Sequence, residues 1–394
     1  MLYALGDGAF ATGSAVFFTR IVGLSAAQVG LGISVALATS FAAAIPLSKL
    51  VDRYGAKQMW VVAGVSGAAV YAVWPFVAGL VGYLAVAVMV ELTVTLGRAA
   101  RGAYAIAAIE RSDRVRSMAF MRASLNVGFT LGALVSGVAL SMDSDFLVRA
   151  VPIVTAIALA TTDVFVSRLS DVPAAAQTAT KRTRGISNKG FFGLFVCDGV
   201  LGTNQVLLNV VIPLWLVQST DAPRVLLAWL FATNTVLTVL LQVPATRGID
   251  TVDSALKVSR RSAALFVLSC VIILVTHDTV GWVTVALVWL GHITVTGAEL
   301  FQAAGSWTYM SELSDPRRLG EYQGIAQLGT GLGTVWAPAA YTFLATEWGA
   351  AGWILIAAVA AVAATAMQPF ARSALRSLTA SGSPVIDPVP RPEG

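Results

Sequence analysis

Eight ionisable side chains stand inside stretches of this 394-residue chain that are otherwise apolar: Asp7, Glu91, Arg98, Arg101, Arg122, Asp163, Asp198 and Glu299. A charge in the bilayer core costs roughly 2.5–3.5 kcal/mol on insertion scales, so each needs a partner, a water-filled cavity or a function. Proton exchange and recognition of a charged solute are the chemistries open to five such acids and three such bases. Glu91 and Arg98 are seven residues apart and share a helical face. Asp7, Arg101 and Arg122 fall at one depth, which allows Asp7 to pair with Arg122 or Arg101, and Asp163 lies close enough to the interface to reach water. Asp198 and Glu299 differ, because the second half of the chain offers no intramembrane Lys or Arg. Uncompensated carboxylates in a low-dielectric cavity can exchange protons near neutral pH. Asp198 and Glu299 therefore lead the proton-coupling candidates, followed by Glu91 and Asp7.

The residues around these acids extend two polar faces. His292, Glu299, Gln302 and Ser306 share one, and Asp198, Gln205 and Asn209 share another. A lone helical His is more often a packing residue than a proton relay, which makes His292 the weaker member. Trp229, Trp289, Phe301 and Trp307 suit an amphipathic or aromatic solute, although interfacial anchoring is the commoner role for Trp. The acids favour a cation.

The elements that must carry these groups are membrane helices. The chain is 57% hydrophobic and 12% charged with mean hydropathy +0.76, more apolar surface than a water-soluble core can hide. Windows of roughly 20 residues, enough to cross about 30 Å of hydrocarbon, fit twelve times: 2–22, 27–49, 58–78, 82–108, 118–140, 146–167, 190–217, 224–245, 258–276, 280–310, 321–345 and 350–371. Six loops, each two spans from the last, hold 20 of the 26 basic residues. The opposite connections carry only Arg20, Arg149 and Arg224. The positive-inside rule makes the rich side cytoplasmic, with both termini there, and an integral protein of a bacterial inner or plasma membrane is expected. The net charge of +5 then faces anionic headgroups rather than nucleic acid. The first span begins at Leu2 without a polar leader, which is unlike a cleaved signal peptide and leaves room for residues before it.

The polar stretch 168–189 divides the chain into six spans and six spans and reads as a linker between bundles 1–167 and 190–371. The Pro-rich tail 372–394 is expected to be disordered. Traces of duplication join the halves. Asp7-Gly8 with Thr12 matches Asp198-Gly199 with Thr203, and Pro46 before Asp52 matches Pro244 before Asp250. Small residues at every fourth position, including Gly32, Ser40 and Ser48 in span two, Gly128 and Gly132 in span five, and Gly329 and Gly333 in span eleven, predict close helix contacts.

The loop Ser48-Lys49-Leu50-Val51-Asp52-Arg53-Tyr54-Gly55-Ala56-Lys57 resembles the signature loop of the major facilitator superfamily, lying as there between helices two and three. Asp52, Arg53, Gly55 and Lys57 match, while Ser48 and Ala56 replace a Gly and a basic residue. Arg98-Ala99-Ala100-Arg101-Gly102 is similar to that family's Arg-x-x-x-Gly motif in helix four. Asp315 to Gly324, before span eleven, is similar to another of its loops. The resemblance covers the whole chain and implies an all-α fold of twelve transmembrane helices in two pseudo-symmetric six-helix bundles, with helices one, four, seven and ten lining a central cavity. Gly128, Gly132 and Gly137 keep three glycines of the helix-five motif of the superfamily's proton-coupled drug exporters, with Ala133 and Ser136 replacing a Pro and a Gly. In the signature loop, Asp52 would face a helix N-terminus or a cation across the seam, and Gly55 permits the tight turn.

The expected function is secondary transport by alternating access, as a proton-coupled efflux antiporter of a small amphipathic or cationic compound. Uptake by proton symport uses the same architecture. No cofactor is implied, since no Gly-Lys-Ser/Thr phosphate loop is present. An enzyme is not expected, since His277 and His292 make no metal-ligand set and no nucleophile elbow occurs. The expected partners are the solute, protons and lipid, and the expected state is a monomer.

Overall fold

In hydrocarbon every backbone N–H and C=O must find a partner within the chain, and an apolar run answers that by becoming a helix. The computed structural model describes residues 1–142, 144–171, 188–223 and 225–380 and is helical nearly throughout, with no strand among them. The first half holds α1 (Leu2–Val16, prolonged by a wide turn to Ile21), α2 (Ala26–Tyr54), α3 (Ala56–Val73), α4 (Gly79–Ala108), α5 (Arg114–Ser141) and α6 (Asp145–Ser167). In the second half α7 (Lys189–Leu201), α8 (Asn204–Val206) and α9 (Ile212–Ser219) form one interrupted span, followed by α10 (Leu226–Leu241), α11 (Val252–Val275) and α12 (Trp282–Glu312). There α13 (Leu319–Thr334) and α14 (Ala337–Glu347) share one span, broken ahead of Pro338, and α15 (Gly349–Ala380) ends the chain of helices. Among the described residues nine stretches are singly long and apolar enough to cross a membrane; 2–21, 226–241 and 319–347 complete twelve.

The two halves repeat one packing scheme. A Cβ on Gly8 would strike the backbone of Phe129, and one on Gly199 that of Thr330. Gly132 lies against Leu5 and Ala9, as Gly333 lies against Val196 and Val200; Gly128 lies against Met1 and Ala4, as Gly329 lies against Phe192 and Phe195. Every first-span residue in this set recurs 191 positions on and every fifth-span residue 201 positions on. With no hydrophobic drive between helices in lipid, such close backbone contacts are what hold α1 on α5 and α7 on α13. Gly137, by contrast, faces open space.

The end of the last span differs from expectation. α15 continues through residues 372–380 because Ala371, Ala374 and Leu378 stay buried against the second half, so the helix outlasts the boundary at 371. Residues 381–394 and most of the 168–189 linker lie outside the described residues.

Candidate functional site

At the basic face the halves meet through α2 and α13. Ser25 caps α2 with a reciprocal bond to Gln28, and the helix then runs 29 residues to Tyr54, delivering Asp52 across the seam. The N–H of Gly320 donates to Asp52 Oδ1 at 2.7 Å and that of Glu321 to Oδ2 at 2.8 Å. Asp52 thus caps the N-terminus of a helix in the other half, where exposed amides and the helix dipole favour a carboxylate. Gly320 and Gly324 leave room for it, since a Cβ on either would run into Ser48 or Asp52. Gly55, at φ +94°, makes the turn into α3. Arg53 lies over the Tyr54 ring of its own half at 5.2 Å, and Lys57 Nζ pairs at 2.9 Å with Asp171 at the start of the linker. Gly102 admits the Gln323 side chain of α13.

Two further ties cross the seam. Arg111 holds Glu312 through both ends of its guanidinium, with Nε at 3.0 Å from Oε1. Deeper, Arg122 of α5 reaches Glu299 of α12, Nη2 to Oε1 at 2.6 Å. Glu299 is 5% exposed at its side chain and also accepts from Asn234 Nδ2 at 3.2 Å. The expectation that Glu299 lacks a counter-charge is therefore corrected: its cation comes from the first half. The same contact removes Arg122 as a partner for Asp7.

Among the described residues Asp198 has no cationic partner. It is 1% exposed, Gln302 Nε2 donates to its Oδ1 at 3.0 Å, Ser306 lies beside it, and its Oδ2 has no hydrogen-bond partner. The predicted face on α12 accordingly divides. Glu299 turns to the first half, Gln302 and Ser306 turn to Asp198, and His292 is 3% exposed, beside the Leu230 backbone. Gln205 and Asn209 bond each other at 3.2 Å and remain exposed. Trp307 packs on the second half's core, Trp289 Nε1 donates to Thr233 and Trp229 is exposed, so these aromatics do not gather round the acids.

The first half encloses its own polar chamber of about 40 Å³ between α1, α3, α4 and α6, lined by Tyr3, Asp7, Tyr71, Arg98, Arg101 and Asp163 among others. Arg98 and Arg101 provide the positive field at Asp7, and Arg101 also lies over the Tyr3 ring at 5.3 Å. Glu91 lies near Arg98 without an ion pair between them. Asp163 is 6% exposed and packed against Gly64, with Oδ2 unpartnered. It is enclosed rather than at the water boundary, because α3 presents a glycine where a larger residue would have displaced it.

Comparison with known proteins decides the family. The model of the Major Facilitator Superfamily matches residues 1–291. The chain belongs to that superfamily. Solved structures share the transporter's fold over nearly its whole length at low identity. A bacterial homologue of the iron transporter ferroportin in an outward-facing state superposes with TM-score 0.73 at 12% identity, over 94% of this chain and 97% of that one. The E. coli fucose:proton symporter gives 0.68 at 12%, over 95% and 96%. The proton:xylose symporter, bound to 6-bromo-6-deoxy-D-glucose, gives 0.69 at 13%, over 96% and 96%. No curated protein matches in sequence. The functional residues that the sequence did not single out are Glu312 and Arg111, which tie the halves, and Asn234 beside Glu299. The first two sit at loop ends where charge is usual, and only depth matching across halves would have singled them out.

Proposed function

We propose that this chain is a proton-coupled exporter that exchanges protons for a small amphipathic or cationic compound by alternating access. The observation that carries the reading is the Arg122–Glu299 bridge, one charge from each half at 2.6 Å. With the basic face cytoplasmic and both termini there, Asp52, Arg111–Glu312 and Arg122–Glu299 close the cytoplasmic side. A proton arriving at Glu299 removes its charge and leaves Arg122 without its partner, which loosens the seam. Closing the opposite side then exposes Glu299 to the cytoplasm, where the proton leaves. Protonation is thereby linked to which side is open.

Asp198 supports the substrate class. Its neighbours Gln302 and Ser306 are dipoles, not cations, so a cationic group reaching it meets an unspent negative charge. The three glycines of α5 support export through their likeness to the drug-exporter motif. The transporter works as a monomer in a bacterial plasma membrane on this reading, without a cofactor.

The test is a proteoliposome assay with an imposed pH gradient, an internal pH dye and a panel of lipophilic cations. Substrate-triggered proton release from acidic vesicles, lost in Glu299→Gln, is the expected result. Proton entry together with substrate would make the protein a symporter. Transport with no proton movement would refute coupling.

A further inference from the structure

The loop after α10 does not repeat what the loop after α2 does. A cavity of about 810 Å³ opens there, walled by the end of α10, the start of α11 and the middle of α12. All its lining residues come from the second half, and the turn Pro244–Thr246 at its edge also touches α5 of the first half. Its lining is basic at Arg247, Lys257 and Arg261, acidic at Asp250 and Asp253, and apolar at Leu241, Leu300 and Phe301 among others.

The disposition on α11 is informative. Ser254, Lys257, Val258 and Arg261 follow at helical spacing and form one face. Lys257 stands one turn and Arg261 two turns or more inside a helix that crosses the membrane, where an unpaired cation is costly. Arg260, on the neighbouring face, donates to Gln368 at 2.8 Å. Among the described residues Arg247, Lys257 and Arg261 make no ion pair, even though Asp253 stands four residues before Lys257 and Asp250 lines the same cavity. Three cations against those two carboxylates leave one positive charge, in a niche whose apolar lining suits an acyl chain.

We infer that this cavity is a binding site for one anionic phospholipid of the leaflet on the basic side. Its phosphate meets Arg247, Lys257 and Arg261, and its acyl chains run along Leu241, Leu300 and Phe301. The volume lies within the roughly 300–1,000 Å³ of small-ligand sites, and basic niches between membrane helices on this side are suited to anionic headgroups. The lipid supplies the counter-charge that the protein lacks there.

The experiment is native mass spectrometry of the purified full-length transporter, delipidated and titrated with phosphatidylglycerol, phosphatidylethanolamine or phosphatidylcholine. One phosphatidylglycerol should be retained in preference to the other two. Removing a cation near the membrane surface should weaken retention about fivefold, and Arg247→Gln, Lys257→Gln and Arg261→Gln together on the order of 100-fold. Arg372→Gln with Arg376→Gln, which removes two cations elsewhere on the same face, should change nothing. Should the triple variant fail to elute as a folded species, the single Lys257→Gln gives the same reading at its smaller size. Equal retention in the variants, or equal retention of phosphatidylcholine, would overturn the assignment. Displacement of the lipid by millimolar inorganic phosphate would also overturn it, in favour of a soluble-anion site.

Discussion

The two halves share a scaffold and differ in what they do with it. Helix one of each presents an Asp-Gly pair to the same place, and the glycines on both sides of that contact recur at constant offsets. The acids then part. Asp7 sits in the field of Arg98 and Arg101, while Asp198 is met by the amide of Gln302. The loops part as well, since Asp52 caps α13 across the seam and Asp250 lines a cavity within its own half. Backbone packing tolerates little change, because close approach in lipid depends on the absence of side chains. Polar groups are replaceable at the cost of a new partner. The repeat therefore survives in the glycines, and the division of labour is written in the charges.

The most severe test strikes the shared part. Gly132→Val and Gly333→Val each place side-chain atoms into the backbone of the neighbouring helix, which cannot yield as a side chain could. Overpacking costs about 1–3 kcal/mol where neighbours can shift and more where they cannot. Both variants should lose most folded protein in fluorescence-detected size exclusion, to a similar degree, whereas Gly137→Ala should elute as wild type. Tolerance of either valine would break the claimed equivalence.

Next in size is the tie between the halves. Removing one partner of a buried pair costs about 3–5 kcal/mol, less here because Arg122 keeps 30% of its side chain exposed. Glu299→Gln and Arg122→Gln should each abolish pH-driven transport. The double variant should melt at a higher temperature than the sum of the singles implies, without recovering coupling. In wild type, acidifying the open side should raise labelling of cysteines placed at the basic face. Glu299→Gln should show no such pH response.

How far the sequence reached follows the same division. Hydropathy and charge asymmetry outlined twelve spans, since both follow directly from the bilayer, and the glycine spacing marked α5 and α13. Pairing was harder to read. Arg122 lies eight residues from the start of α5 and Glu299 thirteen from the end of α12, about 12 and 20 Å from the basic face at 1.5 Å per residue. An Arg side chain spans that difference, but counting charges within each half concealed it. The extension of α15 to Ala380 was hidden similarly, because Arg372 and Arg376 mark a boundary by charge while Ala371, Ala374 and Leu378 continue the buried face. Asp163 looked interfacial from its place near the end of span six, and only the opposing glycine of α3 explains its burial.

A smaller and more pointed test exchanges the acids' surroundings. Gln302→Arg would give Asp198 the kind of neighbour that Asp7 has. A cation about 6 Å from an incoming one repels it by roughly 3 kcal/mol at an effective dielectric near 20. Binding of a cationic substrate should weaken on the order of 100-fold, with a neutral amphipathic compound much less affected. Asp198→Asn should likewise remove the preference for cations, and Asp7→Asn should leave it within about tenfold. Equal loss in Asp7→Asn and Asp198→Asn would show that the two acids act alike despite their different neighbours.

The mildest effect separates the two loops. An amide at position 52 keeps one acceptor and turns its NH₂ towards an N–H that had been satisfied, so Asp52→Asn should forfeit part of a cap of about 0.5–2 kcal/mol. That shifts the balance between states by roughly 2–30-fold, away from the one closed at the basic face. It should appear as a lower kcat with KM little changed, and as a longer population in distance distributions between spin labels on α2 and α13. Asp250 caps no helix of the other half among the described residues, so Asp250→Asn should leave those distributions as they are. Were Asp250→Asn to shift them equally, its loop too would gate the seam, in a conformation opposite to this one, and the asymmetry between the halves would belong to a single state rather than to the protein.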